Sequence, residues 1–72
     1  MRTYPTIHPH MNTYEIEACV EEYLFQVDFM NRRTTNAGRV IAARSINEFM
    51  QQIEDAGALP VFNHLLAKAV AR

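Results

Sequence analysis

The chain has 72 residues, of which 49% are hydrophobic and 21% are charged, and its formal net charge is −1. This length predicts a single domain with a small core, and no stretch approaches the roughly 18 apolar residues of a membrane span. Cys19 is the only cysteine, which excludes an intramolecular disulfide. Since secreted chains of this size usually carry an even set of cysteines, we expect a cytoplasmic protein.

Residues 1–12 contain Pro5 and Pro9 and show no apolar periodicity. This composition predicts an extended or flexible lead-in. The start of the chain also lacks the apolar segment of a signal peptide. We therefore expect residues 13–72 to form the domain.

Residues 13–30 alternate between apolar and polar side chains, and the phase flips at Glu21 and Glu22. A short connection at these two residues predicts a β-hairpin, in which one face carries all of the apolar residues of the alternation. These are Tyr14, Ile16, Ala18, Val20, Tyr23, Phe25, Val27 and Phe29.

The same segment also fits one amphipathic helix, with an apolar face at i, i+3, i+4 and i+7 spacing and a capping box formed by Asn12 and Glu15. That interpretation leaves Tyr14, Phe25 and Phe29 on the polar side. Exposing two phenylalanines is a heavier cost than a hairpin turn without Gly, Asn or Asp. The hairpin is therefore the prediction.

A loop is predicted for residues 31–38, where Asn36, Ala37 and Gly38 give a turn signal, and a third strand for residues 39–44. Ser45 and Glu48 have capping-box spacing and predict the start of a helix. The apolar face of that helix consists of Ile46, Phe49, Met50 and Ile53.

Gly57 is expected to end this helix in the left-handed conformation, and Pro60 fits the first turn of a second one. The apolar face of this second helix consists of Val61, Phe62, Leu65, Leu66, Ala69 and Val70. The predicted fold class is α+β, with a three-stranded antiparallel sheet followed by two short helices packed on one face.

No motif of an enzyme or of a cofactor or metal site is present in the sequence. His8, His10 and His64 lack metal-ligand spacing, and Cys19 lies between glutamates that raise a thiol pKa. Ser45 is accounted for by capping. We therefore expect a non-enzymatic protein without cofactor or metal.

Five acidic residues and no basic residue fall between positions 15 and 28. On a hairpin, these carboxylates would lie on the outer face of the sheet and at its turn, where they predict a site for a basic protein partner, one that itself binds nucleic acid. The candidate partner-binding residues are Glu15, Glu17, Glu21, Glu22 and Asp28.

Four arginines and no acidic residue fall between positions 32 and 44, and they support an alternative function. A three-stranded sheet with basic residues on its strands and loop resembles integrase arm-binding and AP2-type domains, which implies binding in a DNA major groove. The candidate nucleic-acid-binding residues are Arg32, Arg33, Arg39 and Arg44.

A self-associating structural module, such as a homodimer, is a further alternative, because association adds buried surface to a small core.

The predicted order of hairpin, third strand and two helices resembles that of small phage-encoded anti-CRISPR proteins. The likeness is closest in Gly-Arg-Val-Ile-Ala-Ala-Arg-Ser followed by Ile-Asn-Glu-Phe, at residues 38–49. The resemblance implies a non-enzymatic inhibitor in the host cytoplasm, which docks on a Cas subunit and blocks nucleic-acid or nuclease engagement.

Overall fold

The computed structural model describes residues 5–71, and this part of the chain is folded into three α-helices without a strand. The helices are α1 (Thr13–Asn31), α2 (Asn36–Asp55) and α3 (Leu59–Val70). The predicted α+β class and its three-stranded sheet are therefore wrong. The protein is a small all-helical domain.

Helix α1 begins at a complete capping box. The Glu15 backbone N–H donates to Asn12 Oδ1 at 2.9 Å, and the Asn12 backbone N–H donates to Glu15 Oε1 at 3.0 Å. Ile16, Cys19 and Val20 then follow at helical spacing and are all buried. The local hydrogen bonds and the buried stripe thus select the helix.

The predicted hairpin turn at Glu21 and Glu22 instead lies in the middle of α1. Two glutamates are good helix formers and offer no turn chemistry, so the phase flip is part of a helical period. The helical alternative was rejected because it would expose aromatic side chains, and these side chains are exposed in the structure. Phe25 and Phe29 are 46% and 45% exposed, and Tyr14 is 80% exposed.

Helix α2 includes the segment that was predicted as the third strand, residues 39–44. Thr35 caps its start, where the Gly38 backbone N–H donates to Thr35 Oγ1 at 3.0 Å. Ser45 lies inside this helix, so the predicted capping box with Glu48 is wrong. Because Thr35 supplies a cap ten residues earlier, the chain has no need of a second start at Ser45.

The end of α2 agrees with the sequence prediction. Gly57 has φ +73°, its N–H donates to the Glu54 carbonyl at 2.9 Å, and the Ala58 N–H donates to the Ile53 carbonyl at 3.1 Å. These two bonds form a Schellman motif, which satisfies carbonyls at the helix end. Pro60 lies in the first turn of α3, as predicted.

The core lies where all three helices meet. Its buried hydrophobic residues are Ile16, Cys19, Val20, Ile46, Phe49, Ile53, Ala58 and Phe62. Tyr23 and Phe62 make an edge-to-face ring contact with centroids 5.6 Å apart, which joins α1 to α3. Of the predicted apolar face of α3, Val61 and Val70 are exposed, while Leu65, Leu66 and Ala69 pack against the core.

The described part of the lead-in contains no helix, and it lies against the bundle. Ile7 and Met11 pack on the core, and the Met11 sulfur is 4.0 Å from the Cys19 sulfur. His8 Nε2 contacts the Glu15 carboxylate. The lead-in therefore adds apolar contacts to a small core.

Replacing Gly57 by alanine is expected to destabilise the domain by about 1 kcal/mol, because an L side chain is strained at positive φ. A Cβ atom at this position would meet no other atom within 4 Å, so the loss comes from the backbone conformation alone. Urea unfolding followed by circular dichroism measures it. Gly57→Asn serves as the control, and its loss should be smaller because asparagine tolerates this conformation. Equal losses for both variants would contradict the conformational explanation.

Candidate binding surface

An apolar groove runs between the C-terminal half of α1 and the N-terminal half of α2. Its volume is about 350 Å³, and it is lined by Gln26, Phe29, Arg33, Gly38, Ile41, Ala42 and Ser45. We call this feature the α1–α2 groove. None of the described residues of α2 before Ile46 is buried, and Ile41 is 69% exposed. The first half of α2 therefore presents apolar side chains to solvent rather than to the core.

Phe29, which lines the groove from α1, stacks on the ring of Phe25. The centroids of Phe25 and Phe29 are 6.3 Å apart, and their planes are inclined by only 14°. The Arg33 guanidinium carbon lies 3.7 Å from the centroid of the Phe29 ring. This cation–π contact holds the ring on the surface and keeps a positive charge beside it.

A polar pair lies below the rings. Glu22 is only 4% exposed, and Gln26 Nε2 donates to its Oε2 atom at 2.7 Å. Gln26 Oε1 is buried and accepts no hydrogen bond from the described residues. The groove lining thus combines apolar side chains with the polar groups of Gln26, Arg33 and Ser45.

The structure does not bring the five predicted acidic residues together. Spacings of four and seven residues place Glu17, Glu21 and Asp28 on one side of α1, whereas Glu15 and Glu22 point to the other side. The five carboxylates therefore do not share one side of α1, and their binding of a partner stays a prediction.

Three of these carboxylates have local roles. Glu15 completes the capping box and contacts His8, and hydrogen bonds from His8 and the Asn12 backbone lower its pKa. Glu22 is buried in its contact with Gln26. Asp28 Oδ2 lies 3.1 Å from Arg32 Nη2. Glu17 and Glu21 line a second cleft beside Lys68 of α3.

Three of the four predicted arginines cluster near the α1–α2 turn, and each makes an intramolecular contact. Arg32 pairs with Asp28, Arg33 stacks on Phe29, and Arg39 Nε donates to the Arg33 carbonyl at 3.1 Å. Arg44 is exposed farther along α2. Each of these contacts leaves the guanidinium its charge, and Arg32, Arg39 and Arg44 are exposed.

The predicted sites omitted Phe25, Phe29 and Ile41. The sequence analysis placed the two phenylalanines on the apolar face of a hairpin and residue 41 in a third strand. A signal for them was present. The helical alternative for residues 13–30 put Phe25 and Phe29 on the solvent side, and a helix that is apolar on more than one face indicates a second contact surface.

No group of three His, Cys, Asp or Glu side chains within residues 5–71 is arranged to hold a metal ion. In the same range, no helix is long and apolar enough to cross a membrane. Cys19 is fully buried, and burial raises the pKa of its thiol, with smaller contributions from Glu15 and Glu22. A buried, protonated thiol is a poor nucleophile.

The Cys19 thiol is expected to react with a water-soluble disulfide reagent orders of magnitude more slowly in the folded protein than in urea. Both burial and its raised pKa reduce the amount of accessible thiolate. The absorbance of the released thiolate follows the reaction. A free thiol compound in the same urea solution controls for the solvent, and equal rates in folded and unfolded protein would contradict the buried position.

The chain was compared with protein-family models, curated proteins and solved structures, and none of the three comparisons found a match.

Proposed function

We propose that this chain is a non-enzymatic binding protein, and that it contacts another protein through the α1–α2 groove. The observation that carries the proposal is a set of exposed apolar side chains. Phe29 and Ile41 line the groove, Phe25 stacks on Phe29, and each of the three is about half exposed or more. Contiguous exposed apolar surface is typical of protein interaction sites, and aromatic and arginine side chains dominate the energetics of such sites.

A protein partner is favoured over a nucleic acid by the chemistry of this surface. The groove is mainly apolar, Arg33 is the one arginine among its lining residues, and the net charge of the chain is −1. Nucleic-acid binding relies on unpaired positive charge facing phosphates. A gel-shift assay at two salt concentrations tests this alternative, which requires salt-sensitive binding that is weakened by Arg32 and Arg33 substitutions.

The proposal is tested by co-purification from cells that carry the gene, with a tagged chain expressed beside an untagged one. The tagged wild type should retain a partner polypeptide through purification, and the tagged Phe29→Asp and Ile41→Asp variants should each fail to retain it. Val70→Asp places the same charge on an exposed apolar residue of α3 and should retain that polypeptide. Far-UV circular dichroism confirms that all three variants are folded.

The retained polypeptide is then purified and titrated by calorimetry. We expect each groove variant to weaken binding by at least about 100-fold, since a buried charge replaces an apolar anchor. Equal affinity of the groove variants and Val70→Asp would contradict the proposal. A Glu17→Lys variant tests whether the acidic side of α1 contributes separately.

Inhibition of a Cas complex is the specific form of this function that the resemblance to anti-CRISPR proteins implied. That resemblance was based on a hairpin and a third strand, and the described residues form neither. It therefore adds no support for a Cas subunit over other proteins. Adding the purified protein to a CRISPR nuclease reaction tests this form directly, with Phe29→Asp as the inactive comparison.

A further inference from the structure

We propose that the protein bound at the α1–α2 groove is a second copy of this chain, in an antiparallel dimer formed across α1. This inference rests on the proposed function, because it assigns an occupant to the same surface. Its basis is the pattern of side chains along α1 together with the exposure of apolar side chains on and beside it.

Four residues at intervals of four form one ridge on α1. Glu21, Phe25 and Phe29 lie on the helix, and Arg33 follows just after its end, where stacking on Phe29 keeps the guanidinium on the same line. We call this set the 21–33 ridge. Its order is acid, ring, ring, base, and it spans about 18 Å at the helical rise of about 1.5 Å per residue.

This order is complementary to itself when it is reversed. A two-fold axis between Phe25 and Phe29 places Glu21 of each copy opposite Arg33 of the other, and Phe25 opposite Phe29. An interface with two-fold symmetry uses the same patch on both subunits, so it needs this kind of self-complementarity. Residues four apart also form the ridges that interlock when two helices cross at about −50°, and this crossing aligns the two ridges.

Exposed apolar side chains lie on and beside the ridge. Phe25 and Phe29 are 46% and 45% exposed, and Ile41, which lines the same groove as Phe29, is 69% exposed. A contact across the ridge would cover these side chains and remove apolar surface from water.

The charges on the ridge favour a second copy over other occupants. A nucleic acid would meet the Glu21 carboxylate at one end, and a uniformly basic or acidic partner would meet a like charge at one of the two ends. A reversed copy of the ridge matches both ends at once, and like-charge contacts at an interface are disfavoured.

Sedimentation equilibrium of the full chain, from low micromolar to near-millimolar concentration, measures the dimer constant. Glu21→Arg and Arg33→Glu should each weaken dimerisation by at least about tenfold, because each places like charges opposite one another. The double variant Glu21→Arg with Arg33→Glu restores both pairs and should recover most of the affinity. Glu54→Arg and Arg44→Glu make the same charge changes at exposed positions outside the ridge and should leave dimerisation unchanged.

The outcomes separate this inference from the proposed function. A wild type that stays monomeric throughout, while Phe29→Asp still loses a different polypeptide in co-purification, overturns the dimer and leaves the binding function standing. A dimer whose charge variants behave like their controls, or whose double variant recovers nothing, overturns the antiparallel arrangement. A wild type that is monomeric and retains no polypeptide overturns both.

Discussion

Replacing Phe62 by alanine is expected to remove about 3–5 kcal/mol of folding free energy, the usual cost of deleting a buried ring. Phe62 is fully buried, it packs edge-to-face on Tyr23 of α1, and it is the only fully buried residue that α3 contributes among those described. A domain of this length has a total stability of about 4–11 kcal/mol. The variant should therefore be largely unfolded at the lower end of that range.

Urea unfolding followed by circular dichroism measures the loss. Val61→Ala, at the neighbouring exposed position, is the matched control and should change stability by no more than about 0.5 kcal/mol. Phe62→Leu keeps most of the apolar volume and should lie between the two. A Phe62→Ala loss as small as that of the control would show that α3 does not depend on this contact, which would contradict the packing of the core.

The chain from Ile46 onward was predicted well because its signals are local. A glycine that follows an apolar helical period, as Gly57 does, typically ends the helix in the left-handed conformation. Pro60 fits a helix best in its first turn, where its missing N–H costs nothing. The buried face of Ile46, Phe49 and Ile53 can be identified from the helical spacing of these residues alone, without knowing which element packs against it. These features fixed the end of α2 and the start of α3.

The first half was predicted wrongly because its pattern fits two periods. Apolar residues occur on several sides of α1, so alternation and helical spacing both find matches in residues 13–30. The choice depended on whether Phe25 and Phe29 could be left exposed, and the rule that rings are buried in the monomer decided for the hairpin. That rule fails where a surface serves to bind another molecule. The wrong prediction for α1 and the omission of Phe25 and Phe29 from the predicted sites therefore have one cause.

The arrangement predicted for the acidic residues depended on the sheet. A strand alternates sides every residue, so a hairpin would have placed them on its outer face and at its turn, whereas a helix distributes them around its axis. Glu15 and Glu22 consequently turn away from Glu17 and Glu21. The contacts of Arg33 with Phe29 and of Arg39 with the Arg33 carbonyl lie at the end of α1 and in the turn to α2. The sequence analysis missed them because it predicted strands and a loop for this segment.

Replacing Val27 by proline is expected to cost about 3 kcal/mol or more, because residue 27 lies well inside α1. Proline removes the hydrogen bond from the residue 27 N–H, and its ring clashes with the carbonyl four residues earlier. The resulting break falls between Phe25 and Phe29. It would separate the two rings and displace Arg33, so the loss of stability should be accompanied by loss of binding at the α1–α2 groove.

The matched control places the same residue where α1 accepts it. Thr13 is the first residue of α1, and Asn12 before it is extended, with φ −83° and ψ 174°, the backbone that a residue before proline prefers. Thr13→Pro should therefore stay within about 0.5 kcal/mol of the wild type. Far-UV circular dichroism and urea unfolding compare the two variants. A tolerated proline at residue 27 would mean that residues 13–31 are not one continuous helix, and the surface proposed for binding would then have no scaffold.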